Sequence, residues 1–134
     1  MARYVTDTHA LIWHLQASRK LSRKARTLFH QADAGQLTII IPSIVLIELI
    51  YLAEKGRIDS ILVDQVFALL TPSTQNYVVI PLGTQIAQTL RSIARSQVPE
   101  MPDRIIAATA KQLGLSLISR DVAIRAAGGL IVVW

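Results

Sequence analysis

Four of the nine acidic residues lie beside apolar runs, where carboxylates from distant parts of a chain can meet. Asp7 follows the run Tyr4-Val5-Thr6, Asp121 closely follows Leu117-Ile118, Asp103 heads an apolar helical segment, and Glu48 lies among aliphatic residues. Two carboxylates roughly 5 Å apart repel by about 3 kcal/mol at an effective dielectric near 20. No lysine falls at a predicted strand end to offset this repulsion. A hard divalent cation would offset it, and oxygen-only ligands favour Mg²⁺ or Mn²⁺, which can activate water for phosphodiester hydrolysis.

Taken singly, each acid has a structural explanation. Asp7, Asp103 and Asp121 are all placed to end a strand or to cap a helix. Glu48 is harder to explain, since a carboxylate among six aliphatic residues is seldom buried without a partner. The alternative is an exposed helical stripe that Glu48 shares with Tyr51 and Lys55.

The elements around these acids follow the pattern of an α/β domain with a parallel sheet, because short apolar runs alternate with segments of helical period. The predicted strands are Arg3–Thr6, Leu37–Ile41, Tyr77–Ile80, Ser116–Ile118 and Leu130–Val133. Their central runs lack polar alternation, which is typical of strands covered by helices on both faces. In such a sheet the ligand crevice lies beyond the carboxyl ends of the strands.

Cap and stop signals predict the helices between the strands. The predicted segments run from a Ser22 cap to Ala34 before Gly35, from a Ser43 cap to a Gly56 stop, from Asp59 or Ser60 to Leu70 with a stop at Pro72, from Gly83 or Thr84 to about Ser96, from Asp103 to Leu113 before Gly114, and over Val122–Ala127.

Composition limits the possible classes. The 134 residues favour a single domain, 1–134, and the absence of cysteine excludes disulfide scaffolds, thiol catalysis and Zn–Cys sites. The longest stretch without charged residues carries Pro72, Asn76, Pro81 and Gly83, so no membrane span is expected. No apolar signal segment precedes Asp7, and the cytoplasm is the expected compartment. The net charge of +5 favours a polyanionic partner such as nucleic acid.

The acids and their neighbours resemble a known family. The segments Asp7–Trp13, Glu48 after Pro42-Ser43, Asp103–Ala110 and Ser119-Arg120-Asp121 look like the ordered acidic motifs of PIN domains. More narrowly, the chain is similar to the VapC-type toxins of bacterial type II toxin–antitoxin systems, over essentially its whole length.

The resemblance implies a three-layer α/β/α sandwich with a central parallel sheet and an Mg²⁺-dependent endoribonuclease site, with Mn²⁺ as a substitute. By position, Asp7 and Asp103 would ligate metal directly, Glu48 directly or through water, and Asp121 would hold a water or a second ion. The implied chemistry is in-line attack by a metal-activated water that leaves 5′-phosphate and 3′-hydroxyl ends.

Further positions would support the site under the same resemblance. Thr8 and Ser119 match small hydroxyl positions that hydrogen-bond the carboxylates or a phosphate. Arg104, beside Asp103, either reaches the scissile phosphate or pairs with a site acid. Small members of this group usually dimerise and are held inactive by a cognate antitoxin.

Basic and aromatic residues allow two interpretations. The run Arg19, Lys20, Arg23, Lys24 and Arg26 is either a solvated helix face or an RNA contact, with Arg23 and Lys24 as the candidates. The histidines His9, His14 and His30 lack i,i+4 ligand spacing, and His9 is the one within the resembled motif. The two tryptophans, Trp13 and Trp134, are too few to predict a base-stacking platform.

Other functions remain open from the sequence. The apolar stripes on the Ser43–Lys55 and Asp59–Leu70 segments serve core packing or form a dimer or antitoxin groove. A receiver-like phosphoacceptor module would need paired acids at the first strand and a lysine near a later strand end, and the sequence shows neither. A PIN-domain RNA-processing nuclease and a non-catalytic nucleic-acid-binding module are the remaining alternatives.

Overall fold

A computed structural model describes residues 1–71 and 75–134. In chain order, the elements in this part of the chain are β1 (Arg3–Thr6), α1 (Thr8–Leu15), α2 (Arg23–Asp33), β2 (Thr38–Pro42), α3 (Ser43–Glu54), α4 (Ser60–Leu69), β3 (Tyr77–Ile80), α5 (Thr84–Leu90), α6 (Met101–Leu113), β4 (Ser116–Ile118), α7 (Val122–Ala126) and β5 (Val132–Val133).

The five strands form one parallel sheet in the order β3-β2-β1-β4-β5. Successive side chains of a strand point to opposite faces of the sheet. Ile39, Ile40 and Ile41 of β2 are nevertheless all buried, so both faces are covered. The helices therefore sandwich the sheet, which confirms the predicted α/β/α architecture.

The strand predictions are confirmed with small shifts at the ends. β1, β3 and β4 have the predicted bounds, whereas β2 lies one residue later than predicted and β5 keeps only the last two residues of its predicted run. Ser22 and Asp59 cap α2 and α4 through hydrogen bonds from backbone N–H groups. Gly114 ends α6 in the left-handed conformation that glycine adopts readily. Pro72, predicted to stop α4, lies outside the described residues.

Three helix boundaries were predicted wrongly. Ser43 is the first residue of α3 rather than its cap, because its hydroxyl oxygen accepts the N–H of Leu82 at 3.0 Å. α6 begins at Met101, since Pro102 in the first turn needs no hydrogen-bond partner for its nitrogen, and Asp103 is therefore its third residue. α5 ends at Leu90 instead of Ser96. The Ser92 hydroxyl and the Arg104 guanidinium donate hydrogen bonds to backbone carbonyl oxygens at and after this helix end.

None of the helices within residues 1–71 and 75–134 combines the length and the apolar character that crossing a membrane requires.

Candidate active site

An acidic pocket of about 450 Å³ opens beyond the carboxyl ends of β1 and β4. These strands are neighbours in the sheet, but the chain leaves β1 toward β2 and leaves β4 toward β5, on the other side. Such a switch point creates the crevice in which α/β proteins bind ligands. The residues that line the pocket are Asp7, His9, Trp13, Glu48, Glu100, Pro102, Asp103, Arg120, Asp121 and Val122. All four predicted acids are therefore brought together.

Asp7 is fixed at the junction of β1 and α1. It is 7% exposed, and its carboxylate caps α1 by accepting the N–H of Ala10 at 2.8 Å. The Ser119 hydroxyl, completely buried after β4, also hydrogen-bonds this carboxylate. The capping role considered for Asp7 and its place in the pocket are therefore both observed.

Glu48 faces the pocket from the middle of α3 and has a buried partner. The Thr8 hydroxyl donates to its carboxylate at 2.5 Å, across 40 positions of sequence. Tyr51 and Lys55, on the same side of α3, are exposed, whereas Glu48 is only partly exposed and lines the pocket. The supporting position predicted for Thr8 is thus occupied by a side chain that orients one of the acids.

Asp103, from α6, and Asp121, at the start of α7, complete the set. Asp103 projects from the first turn of α6, and Asp121 caps α7 by accepting the N–H of Ile124 at 2.9 Å. The Ser119 hydroxyl oxygen accepts the N–H of Asp121, so Ser119 contacts two of the four acids. Ser119 therefore lies where a supporting residue was predicted.

The carboxylates raise one another's proton affinity. Burial, and then repulsion from Asp121, Glu48, Asp7 and Glu100, raises the pKa of Asp103 to about 7. Burial is also the main cause of the raised pKa of Asp7, which the hydrogen bonds from Ser119 and Ala10 counteract. Asp103 is therefore partly protonated at neutral pH unless a cation enters the pocket.

The protein itself supplies little compensation for this charge. Among the described residues, no lysine or arginine nitrogen lies within 4.0 Å of a carboxylate oxygen, and the His14 ring that contacts Asp33 lies outside the pocket. No three carboxylate or histidine groups in that part of the chain already form a metal-binding arrangement. Several carboxylate oxygens instead accept protein donors. The donor set thus suits a hard divalent cation by its chemistry and charge, rather than by a finished coordination geometry.

The basic residues singled out in the sequence, Arg104, Arg23 and Lys24, do not line the acidic pocket. The Arg104 guanidinium donates to the carbonyl oxygens of Ile93 at 2.9 Å and Leu90 at 3.1 Å, tying α6 to the end of α5. Within the described residues it forms no ion pair with a site acid, and it is not among the residues that line the pocket. Arg23 and Lys24 are exposed in the first turn of α2 and do not line the pocket.

Sequence reasoning missed Glu100, Arg120 and Trp13 as pocket residues. Glu100 precedes Asp103 by three residues, and this spacing places both on one side of the α6 terminus. Arg120 directly precedes a predicted acid after β4, and this adjacency was the available signal. Trp13 follows His9 by one helical turn of α1, so both reach the pocket wall.

Comparison with solved structures supports the same fold. One chain of a VapBC2 complex from Rickettsia felis, bound to promoter DNA, matches with a TM-score of 0.72 and 19% identity over 98% of this chain and 97% of that one. A DNA-bound VapBC from Salmonella typhimurium matches with a TM-score of 0.68 and 21% identity, over 99% of this chain and 98% of that one. A toxin–antitoxin complex from Klebsiella pneumoniae matches with a TM-score of 0.65 and 25% identity, over 98% of this chain and 96% of that one. No curated protein sequence matches closely enough to count as a relative.

The family to which the chain belongs is shown by a sequence model rather than by these structures. The model of the PIN domain matches residues 4–130, from within β1 to just before β5. This range contains every acid of the pocket, and the matched fold is the sandwich described above. The resemblance drawn from the acidic motifs is therefore confirmed: the chain belongs to the PIN domain family.

Proposed function

We propose that this chain, acting as one domain over residues 1–134, is an Mg²⁺-dependent endoribonuclease and the VapC-type toxin of a toxin–antitoxin pair. The observation that carries the proposal is the pocket in which Asp7, Glu48, Asp103 and Asp121 meet without an ion-pair partner in the described chain. A carboxylate cluster of this kind can hold a divalent cation, and such a cation can catalyse phosphodiester hydrolysis.

Each acid has a distinct part in this proposal. Asp7, at the end of β1, and Asp103, in the first turn of α6, would hold the cation directly, and burial raises the pKa of both carboxyl groups. Glu48, oriented by Thr8, completes the ligand set directly or through water. Asp121 holds a water or a second ion. When held by these acids, Mg²⁺ or Mn²⁺ would supply a Lewis acid that activates water and offsets negative charge on the phosphoryl group.

Two findings support an antitoxin and a second copy of the chain as partners. The solved structures described above include complexes of VapBC and of a toxin with its antitoxin. In addition, α3 and α4 pack against each other and carry Ile47, Tyr51, Ile61 and Phe67, each about half exposed. Large apolar side chains on neighbouring helices favour association. A cytoplasmic RNA is the proposed substrate.

Substitution of Asp7 by Asn tests the chemistry. A mixed RNA is incubated with wild type, Asp7→Asn and Asp64→Asn, an exposed acid of α4, across an Mg²⁺ titration. Cleavage should disappear only in Asp7→Asn, whose fold is checked by circular dichroism. Mg²⁺-dependent cleavage that persists in Asp7→Asn would refute the assignment.

The toxin role is tested separately from the chemistry. Expression of wild type should arrest growth, and Asp7→Asn should not. The gene directly upstream should encode a small DNA-binding protein, and co-expression of that protein should restore growth. An RNA-processing nuclease would instead cleave RNA without arrest and without such a neighbour.

A further inference from the structure

Two cations converge on one aromatic ring at the edge of the acidic pocket. The guanidinium carbon of Arg120 lies 4.5 Å from the centre of the Trp13 ring, and the Lys20 ammonium lies 5.9 Å from it. Lys20 belongs to the turn between α1 and α2, whereas Arg120 follows β4, a hundred residues later. Both side chains are exposed, and Trp13 and Arg120 line the pocket.

The Trp13 ring is itself held in place by aromatic neighbours. His9, one turn earlier in α1, lies 5.6 Å from it, and Trp134 packs edge-on at 5.8 Å. A cation over an aromatic face gains electrostatic stabilisation while its polar groups remain available to other ligands. The ring can therefore fix the position of Arg120 without neutralising it.

The arrangement is unusual for a purely structural arginine. Arg120 lies beside Asp121 and lines a pocket with five carboxylates, yet it pairs with none of them within the described residues. A guanidinium that keeps its donors unpaired next to an acidic pocket is suited to bind an incoming anion. Lys20 then extends the positive charge from the pocket rim toward Arg23 and Lys24 on α2.

We propose that Arg120 and Lys20 bind backbone phosphates of the RNA strand on one side of the scissile bond, and that Trp13 is the positioning residue for both. The inference rests on the proposed ribonuclease function and adds the direction in which the strand leaves the pocket, across the Trp13 ring toward α2. A strand bound in this way meets cations on the rim and the carboxylate cluster at the cleavage point.

Binding of a short, fluorescently labelled oligoribonucleotide of mixed sequence tests the inference. The Asp7→Asn protein serves as the background, so that cleavage does not interfere, and anisotropy is measured over a range of salt concentrations. Arg120→Gln and Lys20→Gln should each weaken binding several-fold and lower the slope of log affinity against log salt by about 0.7, the value for one phosphate of a single strand. Arg125→Gln, which removes an exposed arginine of α7 outside the pocket, is the matched control and should bind like the background.

Variants of Trp13 separate a positioning role from a purely structural one. Trp13→Leu leaves all charges in place but removes the ring that positions both cations, so it should weaken binding and lower the salt slope by less than the loss of both charges would. Trp13→Phe keeps an aromatic face and should recover most of the affinity. Thermal melts identify any variant that fails to fold. If Trp13→Leu does not fold, Trp13→Phe, Arg120→Gln and Lys20→Gln provide the test.

Failure of this inference differs from failure of the proposed function. If Arg120→Gln and Lys20→Gln bind RNA with the affinity and salt slope of Arg125→Gln, the inference is wrong even when wild type cleaves RNA. If wild type cleaves no RNA but both variants lose affinity and slope, the phosphate contacts stand and the proposed function fails.

Discussion

At the scale of single residues, the hydroxyl of Thr8 links two parts of the site. Thr8 directly follows Asp7 and is 2% exposed, and it donates to Glu48, which α3 brings to the pocket. A donor that orients a ligating carboxylate acts on the metal through that carboxylate. The effect of Thr8 should therefore appear in metal affinity and cleavage more than in stability.

Thr8→Val keeps the shape of the side chain and removes the donor. We expect Mg²⁺ affinity or the cleavage rate to fall by about 10- to 100-fold, the usual effect of losing such a partner. Thr8→Ser restores the hydroxyl and should restore most of the activity. Thr27→Val, at an exposed position of α2, is the control. Equal activity in Thr8→Val and wild type, measured by Mg²⁺ titration of RNA cleavage, would contradict this role for Thr8.

The raised pKa of Asp103 lowers the free energy of unfolding when no cation is bound in the pocket. Its pKa is about 7 in the folded protein and 3.8 in an unperturbed carboxyl, so the folded state retains a proton that the unfolded state releases between those values. The free energy of unfolding without metal therefore contains a penalty that grows as the pH rises from about 4 to 7. The penalty is fully present above pH 7.

Asp103→Asn should remove this penalty. Without divalent ions, the variant is expected to be more stable than wild type at pH 7.5 by about 1–2 kcal/mol, after allowance for screening by solvent, and similar to it at pH 4. Mg²⁺ should raise the melting temperature of wild type and of Asp64→Asn, but hardly that of Asp103→Asn. Identical Mg²⁺-induced shifts in wild type and Asp103→Asn, recorded by scanning calorimetry, would rule out Asp103 as a ligand.

The acids were predictable from sequence for a physical reason, and their surroundings were not. Asp7 and Asp121 follow parallel strands, whose carboxyl ends must share one edge of the sheet. Arg104 was misplaced because adjacency to Asp103 in sequence does not determine where a long guanidinium finds carbonyl groups. The contact between Arg120 and Trp13 joins residues more than a hundred positions apart, and no local pattern encodes it.

At the scale of elements, a single carboxylate joins two helices and a strand. Asp33, the last residue of α2, accepts the Tyr77 hydroxyl of β3 at 2.6 Å and contacts a ring nitrogen of His14 in α1 at 3.0 Å. His14 also stacks on Phe29 with ring centres 4.6 Å apart. Burial lowers the pKa of His14 and raises that of Tyr77, so both rings favour their neutral forms.

Tyr77→Phe should therefore weaken the attachment of α2 to the edge strand β3. We expect a loss of about 1–2 kcal/mol in the free energy of unfolding, since one hydrogen bond to a charged group is removed while Asp33 keeps partial access to water. Urea denaturation measures the change. Tyr51→Phe, at an exposed position of α3, should cost less than about 0.5 kcal/mol. Equal stability of the two variants would show that the contact contributes nothing.

The predicted helix boundaries were wrong where side chains form hydrogen bonds with backbone groups near the helix ends. The strands were predictable because uninterrupted aliphatic runs such as Thr38–Ile41 suit a sheet covered on both faces. The end of α5 depends on Arg104, a residue from another helix, and the start of α3 on a contact between Ser43 and Leu82. The contacts of Asp33 could not be predicted from its neighbours in sequence, because its partners come from α1 and β3.

For the whole molecule, exposed apolar side chains on α3 and α4 bear on assembly. The double variant Ile61→Gln, Phe67→Gln should weaken the proposed homodimer at least tenfold, because it replaces half-exposed hydrophobic groups without touching the pocket. Sedimentation velocity over a concentration series measures the effect, with Val122→Gln on α7 as an exposed apolar control. A wild type that is monomeric at every concentration would disprove the dimer.

The overall charge of +5 is divided between an acidic pocket and basic surroundings, and this division predicts separable effects of metal and salt. Arg23→Gln, Lys24→Gln should weaken RNA binding and lower its salt slope by about 1.4, since two phosphate contacts of a single strand are lost. The Mg²⁺-induced shift in melting temperature should stay unchanged, because neither residue lines the pocket. Lys55→Gln, Arg57→Gln, an exposed pair after α3, removes the same charge and serves as the control. Unchanged RNA affinity at low salt would make the first turn of α2 a solvated surface and would confine phosphate binding to the rim around Trp13.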